Sequence, residues 1–155
     1  MDLNAFTDWL PDEFMQYFSG HLIKPEPEIS QKENLQKFKF NPIVNFSLPS
    51  SVDWRTVPNI VRPIKDQGTC GSCWAFSAVS ALESAYALTN KMLPDLSEQN
   101  LVDCVYANSY QDGCQGGWMT DAWSYIQFKG INSQSVYPYV SRSTGKVKYL
   151  VRKFS

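Results

Sequence analysis

A glycine-rich turn carrying two cysteines leads directly into a long apolar segment near the middle of the chain. The run Gln-Gly-Thr-Cys-Gly-Ser-Cys-Trp-Ala-Phe occupies residues 67–76, and from Cys73 to about Leu88 almost every residue is apolar or small. This pattern predicts a helix that begins at Cys73 and is buried on nearly all faces. A helix N-terminus carries partial positive charge and free N–H groups, which favour the thiolate form of a cysteine. The sequence therefore predicts that Cys73 is presented as a nucleophile, with the Gln67 amide as a nearby donor for an oxyanion.

Composition limits the classes of partner. The chain has 155 residues, of which 43% are apolar and 14% aromatic, enough for one packed domain. A net charge of -1 and an isoelectric point near 5.8 give no electrostatic basis for binding nucleic acid or an anionic membrane. No stretch reaches 18 consecutive apolar residues, and the first residues lack the basic start and apolar core of a signal peptide. We therefore expect no nucleic-acid partner and no membrane partner.

The chain divides into two parts by composition. Residues 1–47 are polar and interrupted by four prolines, which is typical of an arm without a core of its own. Apolar and aromatic residues become frequent from residue 48 onward. A second helix is predicted to follow Ser97 as N-cap, and a third to run from Met119 to Phe128 and end at Gly130. Glu83 is the only charge within the long apolar helix, so it needs hydrogen-bonding partners or a shifted pKa.

The four cysteines allow three interpretations on their own. In a dithiol redox motif Cys70 attacks and Cys73 resolves, but this motif normally lies in a βαβ unit, which residues 57–63 do not supply. A zinc site would use Cys70, Cys73, Cys104 and Cys114, although the spacing of the second pair is longer than usual. In the third interpretation Cys73 is a single nucleophile and Cys70 belongs to a structural bridge. The cysteines alone leave all three open.

The surrounding residues resemble the papain-like cysteine peptidases, and among them the cathepsin L-like type. The family pattern around the nucleophile is present without a mismatch at residues 67–76. Four further blocks follow the family's order, namely residues 48–55, 96–104, 113–117 and 137–139. Residues 4–14 are similar to the end of the family's inhibitory pro-segment. The resemblance therefore covers about residues 4–140.

The resemblance implies a role for individual residues. Cys73 would be the catalytic nucleophile, and the Gln67 side chain and the Cys73 backbone N–H would stabilise the oxyanion. Cys70 would form a disulfide with Cys114. The substrate-binding cleft would be lined by Gly71, Gly116, Gly117, Trp118 and Met119. Taken without the resemblance, the two glycines also fit an ordinary turn, and Trp118 and Met119 also fit the core of the third helix.

The resemblance also implies an α+β fold, of which this chain has the mainly helical, cysteine-bearing lobe, with the β-rich second lobe largely missing. We expect a partial inhibitory pro-segment at residues 1–47, the lobe at 48–140, and a divergent or truncated tail at 141–155. The family's catalytic histidine and asparagine lie well over a hundred residues after the cysteine, and the only histidine here is His21, in the arm. Cys104 lacks its usual partner and is predicted to be a free thiol.

The functional expectation is therefore a papain-like cysteine endopeptidase that is inactive as this chain. Its partners would be polypeptide substrates or related peptidases, and its exposed lobe face would bind a complementing lobe or a second copy. We expect no cofactor and no metal, and the resemblance implies a lysosomal or extracellular location. The alternative from another class is a non-catalytic binding module, either a peptidase inhibitor or a pseudo-peptidase that binds peptides.

Overall fold

Between residues 49 and 145, the described part of the chain forms three helices. The computed structural model describes residues 49–105 and 113–145, together with Leu10 and Asp12. The helices are α1 (Cys73–Asn90), α2 (Glu98–Cys104) and α3 (Met119–Lys129), and short 3-10 turns lie at Trp54–Thr56 and Gly113–Gln115. Within these described ranges, β structure is limited to one antiparallel bridge between Leu96 and Ser133. This confirms the predicted helical lobe. The rest of the predicted arm, His21, and the tail after Gly145 lie outside the described residues.

Helix α1 forms the centre of the core. It begins at Cys73, as predicted, and continues two residues past the predicted end at Leu88. Its small residues Ala75 and Ala78 are fully buried, and so is Ala122 of α3, so the two helices share one core cluster. The prediction of burial on nearly all faces was wrong, since one side of α1 exposes small residues, namely Ser77, Ser80, Ala81 and Ala85. Alanine and serine occur on both buried and exposed helix faces, so the sequence does not show which of them are buried.

Helix α2 is buried along its whole length although four of its seven residues are polar. The Ser97 hydroxyl accepts a hydrogen bond from the Asn100 N–H at 3.0 Å, which confirms the predicted N-cap. The Asn100 side-chain oxygen accepts from the Asn132 N–H at 3.0 Å. The polar side chains of α2 therefore hold the segment of chain that follows α3.

Helix α3 begins at Met119 and is capped at Gly130, both as predicted. The Gly130 N–H donates to the Ile126 carbonyl at 2.8 Å, and Gly130 has a φ of 80°, which a residue without a β-carbon adopts readily. None of the helices in the described part of the chain has both the length and the apolar character needed to cross a membrane.

Glu83 is a buried carboxylate that joins α1 to two other parts of the lobe. It accepts a hydrogen bond from the Leu96 N–H at 2.8 Å, and the side-chain nitrogens of Arg62 and Lys65 each lie 3.5 Å from its Oε1. Lys65 also donates to Glu98 at 2.6 Å. Burial raises the pKa of Glu83 above its ordinary value, and the Leu96 N–H and the two cations oppose this shift. The expected hydrogen-bonding partner is therefore present as the Leu96 N–H, and the two cations are additional partners.

Candidate active site

Cys73 is the first residue of α1, and its side chain is only partly buried. The carbonyl of the preceding Ser72 accepts hydrogen bonds from the Ala75 and Phe76 N–H groups at 2.9 and 3.1 Å, which fixes the start of the helix. The first N–H groups of a helix have no intrahelical acceptor, so the Cys73 N–H has no partner within α1. This arrangement combines an accessible thiol with the positive end of an 18-residue helix.

Gln67 is held against the cysteine-bearing loop. Its Nε2 donates to the Cys70 carbonyl at 3.1 Å, and its side chain is partly buried. A primary amide has two N–H donors, so this bond uses one of them. The structure therefore brings the predicted oxyanion donor to the loop that ends at Cys73.

A disulfide between Cys70 and Cys114 joins this loop to the glycine-rich loop before α3. The Gly71 N–H also donates to the Cys114 carbonyl at 2.9 Å, and Gly71 itself is buried. This pairing leaves Cys73 and Cys104 as the free cysteines. It is inconsistent with a Cys70–Cys73 redox pair and with a zinc site built from all four thiolates. It agrees with the pairing that the resemblance implied.

Gly116 and Gly117, which are predicted to line the cleft, lie beside the core of α1. Gly117 is packed against the indole of Trp74, where an added β-carbon would lie 2.6 Å from two ring carbons. The Trp74 Nε1–H donates to the Gly113 carbonyl at 3.2 Å, which holds the indole in place. Gly116 has a φ of 115°, a conformation that favours glycine. The pair is therefore required by local packing and conformation.

The two residues after these glycines are placed between core and surface. Trp118 and Met119 are both partly exposed, and Met119 packs against the buried core cluster. The core interpretation therefore holds in part for Met119. Both residues directly follow Gly117 in the sequence, and Gly117 is predicted to line the cleft.

Cys104 differs from Cys73 in its surroundings. It is free, as predicted, but buried, and the Asn100 amide nitrogen lies 3.3 Å from its sulfur. Burial raises the pKa of the Cys104 thiol. Cys104 is therefore the less reactive of the two free thiols.

Sequence reasoning missed two residues that contact the Gln67 backbone. The Tyr139 hydroxyl and the Ser141 hydroxyl donate to the Gln67 carbonyl at 2.7 and 2.9 Å. The only signal in the sequence was the Tyr-Pro-Tyr block at 137–139, which carried the resemblance without a role for its side chains.

Comparison with known proteins decides the family. The family model described as papain family cysteine protease matches residues 48–154. The chain belongs to the papain family of cysteine proteases. The matched range starts at the predicted start of the lobe and extends past residue 140, so the boundary of the tail remains a prediction.

Several relatives of this papain-family chain carry names of precursor enzymes. Procathepsin L of Mus musculus is 42% identical over 150 residues, which cover 96% of this chain and 42% of the mouse protein. Germination-specific cysteine protease 1 of Arabidopsis thaliana is 42% identical over 141 residues, covering 90% of this chain and 36% of the plant protein. This papain-family chain therefore spans about two fifths of the length of these relatives.

Solved structures agree with this assignment. The digestive procathepsin L2 proteinase from Tenebrio molitor larval midgut superposes with a TM-score of 0.71 at 37% identity, covering 96% of this chain and 48% of that one. The ragweed pollen cysteine protease Amb a 11 in its proform gives a TM-score of 0.69 at 35% identity, covering 92% of this chain and 43% of that one. The papain-like fold is therefore supported by both sequence and structure.

Proposed function

We propose that Cys73 is the nucleophile of a cysteine endopeptidase. In this reaction the Cys73 sulfur attacks a peptide carbonyl, the S–C bond forms, and the amide C–N bond breaks as the amine leaves with a proton. Water then hydrolyses the thioester. The observation that carries the proposal is the partly exposed Cys73 thiol at the N-terminus of α1, beside the loop to which Gln67 is hydrogen-bonded.

The negative charge on the carbonyl oxygen would be stabilised by the remaining Gln67 amide N–H and the Cys73 backbone N–H. Both are donors without a partner in the interactions described above, and donors aimed at an oxyanion supply a large part of acyl-transfer catalysis. An extended substrate peptide would run along the backbone of Gly71 and Gly116–Gly117 and pair with its N–H and carbonyl groups. The partly exposed Trp118 and Met119 would bind an apolar side chain two residues before the cut.

Turnover also requires a proton donor for the leaving amine, and the family uses a histidine for it. The one histidine of the sequence is His21, in the proposed arm and outside the described residues. We propose that a polypeptide of these 155 residues alone adds to peptide carbonyls at Cys73 but hydrolyses peptides negligibly. Cys73 would be one half of a catalytic pair.

A complementing β-rich lobe would cover an apolar surface on the segment before the cysteine loop. Trp54, Val57 and Val61 are each more than 40% exposed, and Ile64 is fully exposed. Clustered exposed apolar side chains mark interaction surfaces. We propose this segment as part of the contact with that lobe, or with a second copy of the chain when the lobe is absent.

The proposed division of the chain keeps residues 1–47 as an inhibitory pro-segment, 48–140 as the lobe and 141–155 as a tail. It is supported by the likeness of 92–96% of this chain to proteins named as procathepsins or proforms. The proposed location is lysosomal or extracellular. The Cys70–Cys114 disulfide supports it because such bonds form and persist in oxidising compartments.

The experiment combines two assays on the full chain. A fluorogenic peptide with leucine two residues before the cut measures turnover, and a peptidyl aldehyde with the same residues measures addition to Cys73. The aldehyde is detected through protection of Cys73 from iodoacetamide, followed by peptide mapping. We expect negligible turnover and clear protection, with protection weakened by Gln67→Ala.

Three results would contradict the proposal. Turnover abolished by Cys73→Ala would show that the chain is active by itself. Equal protection in wild type and Gln67→Ala would remove the oxyanion role of Gln67. Inhibition of a related peptidase that persists in Cys73→Ala, without aldehyde protection in wild type, would favour the non-catalytic binding module.

A further inference from the structure

The backbone carbonyl of Gln67 is bound by two hydroxyl groups from a distant part of the chain. Tyr139 Oη and Ser141 Oγ donate to this oxygen at 2.7 and 2.9 Å. Both residues follow α3, more than 70 positions after Gln67. A carbonyl oxygen has two acceptor lone pairs, so the two hydroxyls saturate it. The peptide plane after Gln67 is therefore fixed from outside its own loop.

Tyr139 also contacts the residue immediately before the nucleophile. Its hydroxyl lies 2.6 Å from the Ser72 hydroxyl, and its ring meets the Phe76 ring edge to face, with centroids 4.9 Å apart. A hydrogen bond joins these two hydroxyls, and the Ser72 hydroxyl also donates to the Cys70 carbonyl at 3.3 Å. Tyr139 thus contacts Gln67, which comes before the cysteine loop, and also Ser72 and Phe76 at the start of α1.

The segment that carries these two hydroxyls is itself held by α2. The Gln99 side chain accepts from the Val140 N–H at 2.9 Å and donates to the Arg142 carbonyl at 2.8 Å. Ser141, between them, has a φ of 55°, a conformation that is unfavourable for a residue with a β-carbon. Its side chain is in close contact with the β-carbon position of Gly68. Non-glycine residues in this conformation persist where surrounding contacts hold them, often next to functional sites.

We propose that Tyr139 and Ser141 are positioning residues for the oxyanion side of the site. By fixing the Gln67 carbonyl they set the direction in which the Gln67 side chain leaves the backbone. The Gln67 amide then donates to the Cys70 carbonyl with one N–H, which leaves the other N–H for the oxyanion. This inference rests on the proposed role of Gln67 as an oxyanion donor.

The test separates thiol reactivity from oxyanion stabilisation on the full chain. When a peptidyl aldehyde adds to Cys73, the S–C bond forms, the carbonyl π bond breaks and the oxygen takes the thiol proton, with no change of oxidation state. Alkylation by iodoacetamide displaces iodide and creates no oxyanion. We expect Tyr139→Phe and Ser141→Ala each to weaken aldehyde affinity by about three- to tenfold, as expected for one hydrogen bond. Their iodoacetamide rates should match wild type.

A matched control loses a hydroxyl from the same segment. Ser143→Ala removes the hydroxyl of an exposed residue two positions after Ser141. It should keep wild-type aldehyde affinity. Circular dichroism checks that each variant is folded, and Ser141→Ala serves as the second test if Tyr139→Phe is not.

The outcomes distinguish this inference from the proposed function. If Gln67→Ala weakens aldehyde binding while Tyr139→Phe and Ser141→Ala do not, the positioning role is wrong and the role of Gln67 stands. If Gln67→Ala has no effect, the oxyanion assignment itself is wrong. If the two variants lower the iodoacetamide rate as much as aldehyde affinity, their role is general support of the cysteine loop, which also overturns the inference.

Discussion

The backbone of Gly117 lies directly against the indole ring of Trp74. A β-carbon at position 117 would come within 2.6 Å of the ring atoms Cδ2 and Cε2, closer than such atoms approach in folded proteins. Trp74 is almost completely buried at the second position of α1. One contact therefore joins the helix that carries the proposed nucleophile to the loop proposed to bind substrate.

Gly117→Ala is expected to destabilise the fold because its methyl group would overlap a ring that cannot move within the core. Overpacking of this kind costs about 1–3 kcal/mol of the free energy of unfolding. Urea unfolding measures the change. Gly145→Ala is the matched control, since among the described residues no atom beyond its chain neighbours lies within 4 Å of its β-carbon position, and its φ of 62° opposes the substitution. Equal or greater loss in Gly145→Ala would contradict the steric explanation.

Loss of the Cys70–Cys114 disulfide is expected to lower stability because the bond closes a long loop in the unfolded chain. With a sequence separation of 44, the loop-entropy relation gives about 4 kcal/mol. The double variant Cys70→Ser/Cys114→Ser should therefore unfold at much lower urea concentration and become insensitive to reductant. Cys73→Ser, which changes a free and partly exposed cysteine, should keep the reductant sensitivity of wild type. A double variant as stable as the oxidised wild type would show that the bond contributes nothing.

Local chemistry predicted the helix boundaries well. The start of α1 at Cys73, the Ser97 cap and the stop at Gly130 depend on neighbours in sequence, and each was found where expected. Burial was predicted less well. Helix α2 is polar in composition, yet all of it is buried, because its side chains bond to a segment some forty residues later.

The contacts around the proposed site were also hard to predict from the residues alone. The Cys70–Cys114 pair followed from family resemblance, whereas the residues alone left three interpretations open. The bonds from Tyr139 and Ser141 to the Gln67 carbonyl could not be predicted. Hydroxyl-to-backbone bonds between distant segments leave no periodic pattern in a sequence, and only the fold brings their partners together.

The contribution of Glu83 to stability is expected to depend on pH. Burial raises its pKa above the ordinary value of 4.5, so the folded state binds the proton more tightly than the unfolded state does. The stabilising contribution of protonation is complete below about pH 4.5 and is lost as the pH rises through the raised pKa. Glu83→Gln, which is neutral at all pH values, should therefore gain stability relative to wild type between pH 4.5 and 7.

Urea unfolding of both proteins at several pH values in this range measures the difference. Asp53→Asn is the control, because hydrogen bonds from Arg55 lower the pKa of the exposed Asp53 below its ordinary value of 3.8, so its removal should change stability little and equally between pH 4.5 and 7. A constant difference between wild type and Glu83→Gln across the range would contradict the role assigned to burial.

Asp103 is expected to be essential for holding the segment after α3 to α2. Its buried carboxylate accepts hydrogen bonds from the Tyr137 hydroxyl at 2.9 Å and from the Thr144 N–H and hydroxyl at 2.7 and 2.6 Å. The Gln99 amide donates to the same group at 3.0 Å. In Asp103→Asn one oxygen becomes an NH₂ group that faces these donors, and leaving them unsatisfied costs about 2–3 kcal/mol.

Hydrogen exchange at the Thr144 amide should accelerate in Asp103→Asn together with a fall in the urea midpoint. The exposed carboxylate of Asp53, whose Arg55 partner is 82% exposed, offers a matched substitution, and Asp53→Asn should leave both measurements close to wild type. Because the same segment carries Tyr139 and Ser141, Asp103→Asn should also loosen their hold on the Gln67 carbonyl. Unchanged exchange at Thr144 would show that the other bonds to this segment, among them those of Gln99, hold it without Asp103.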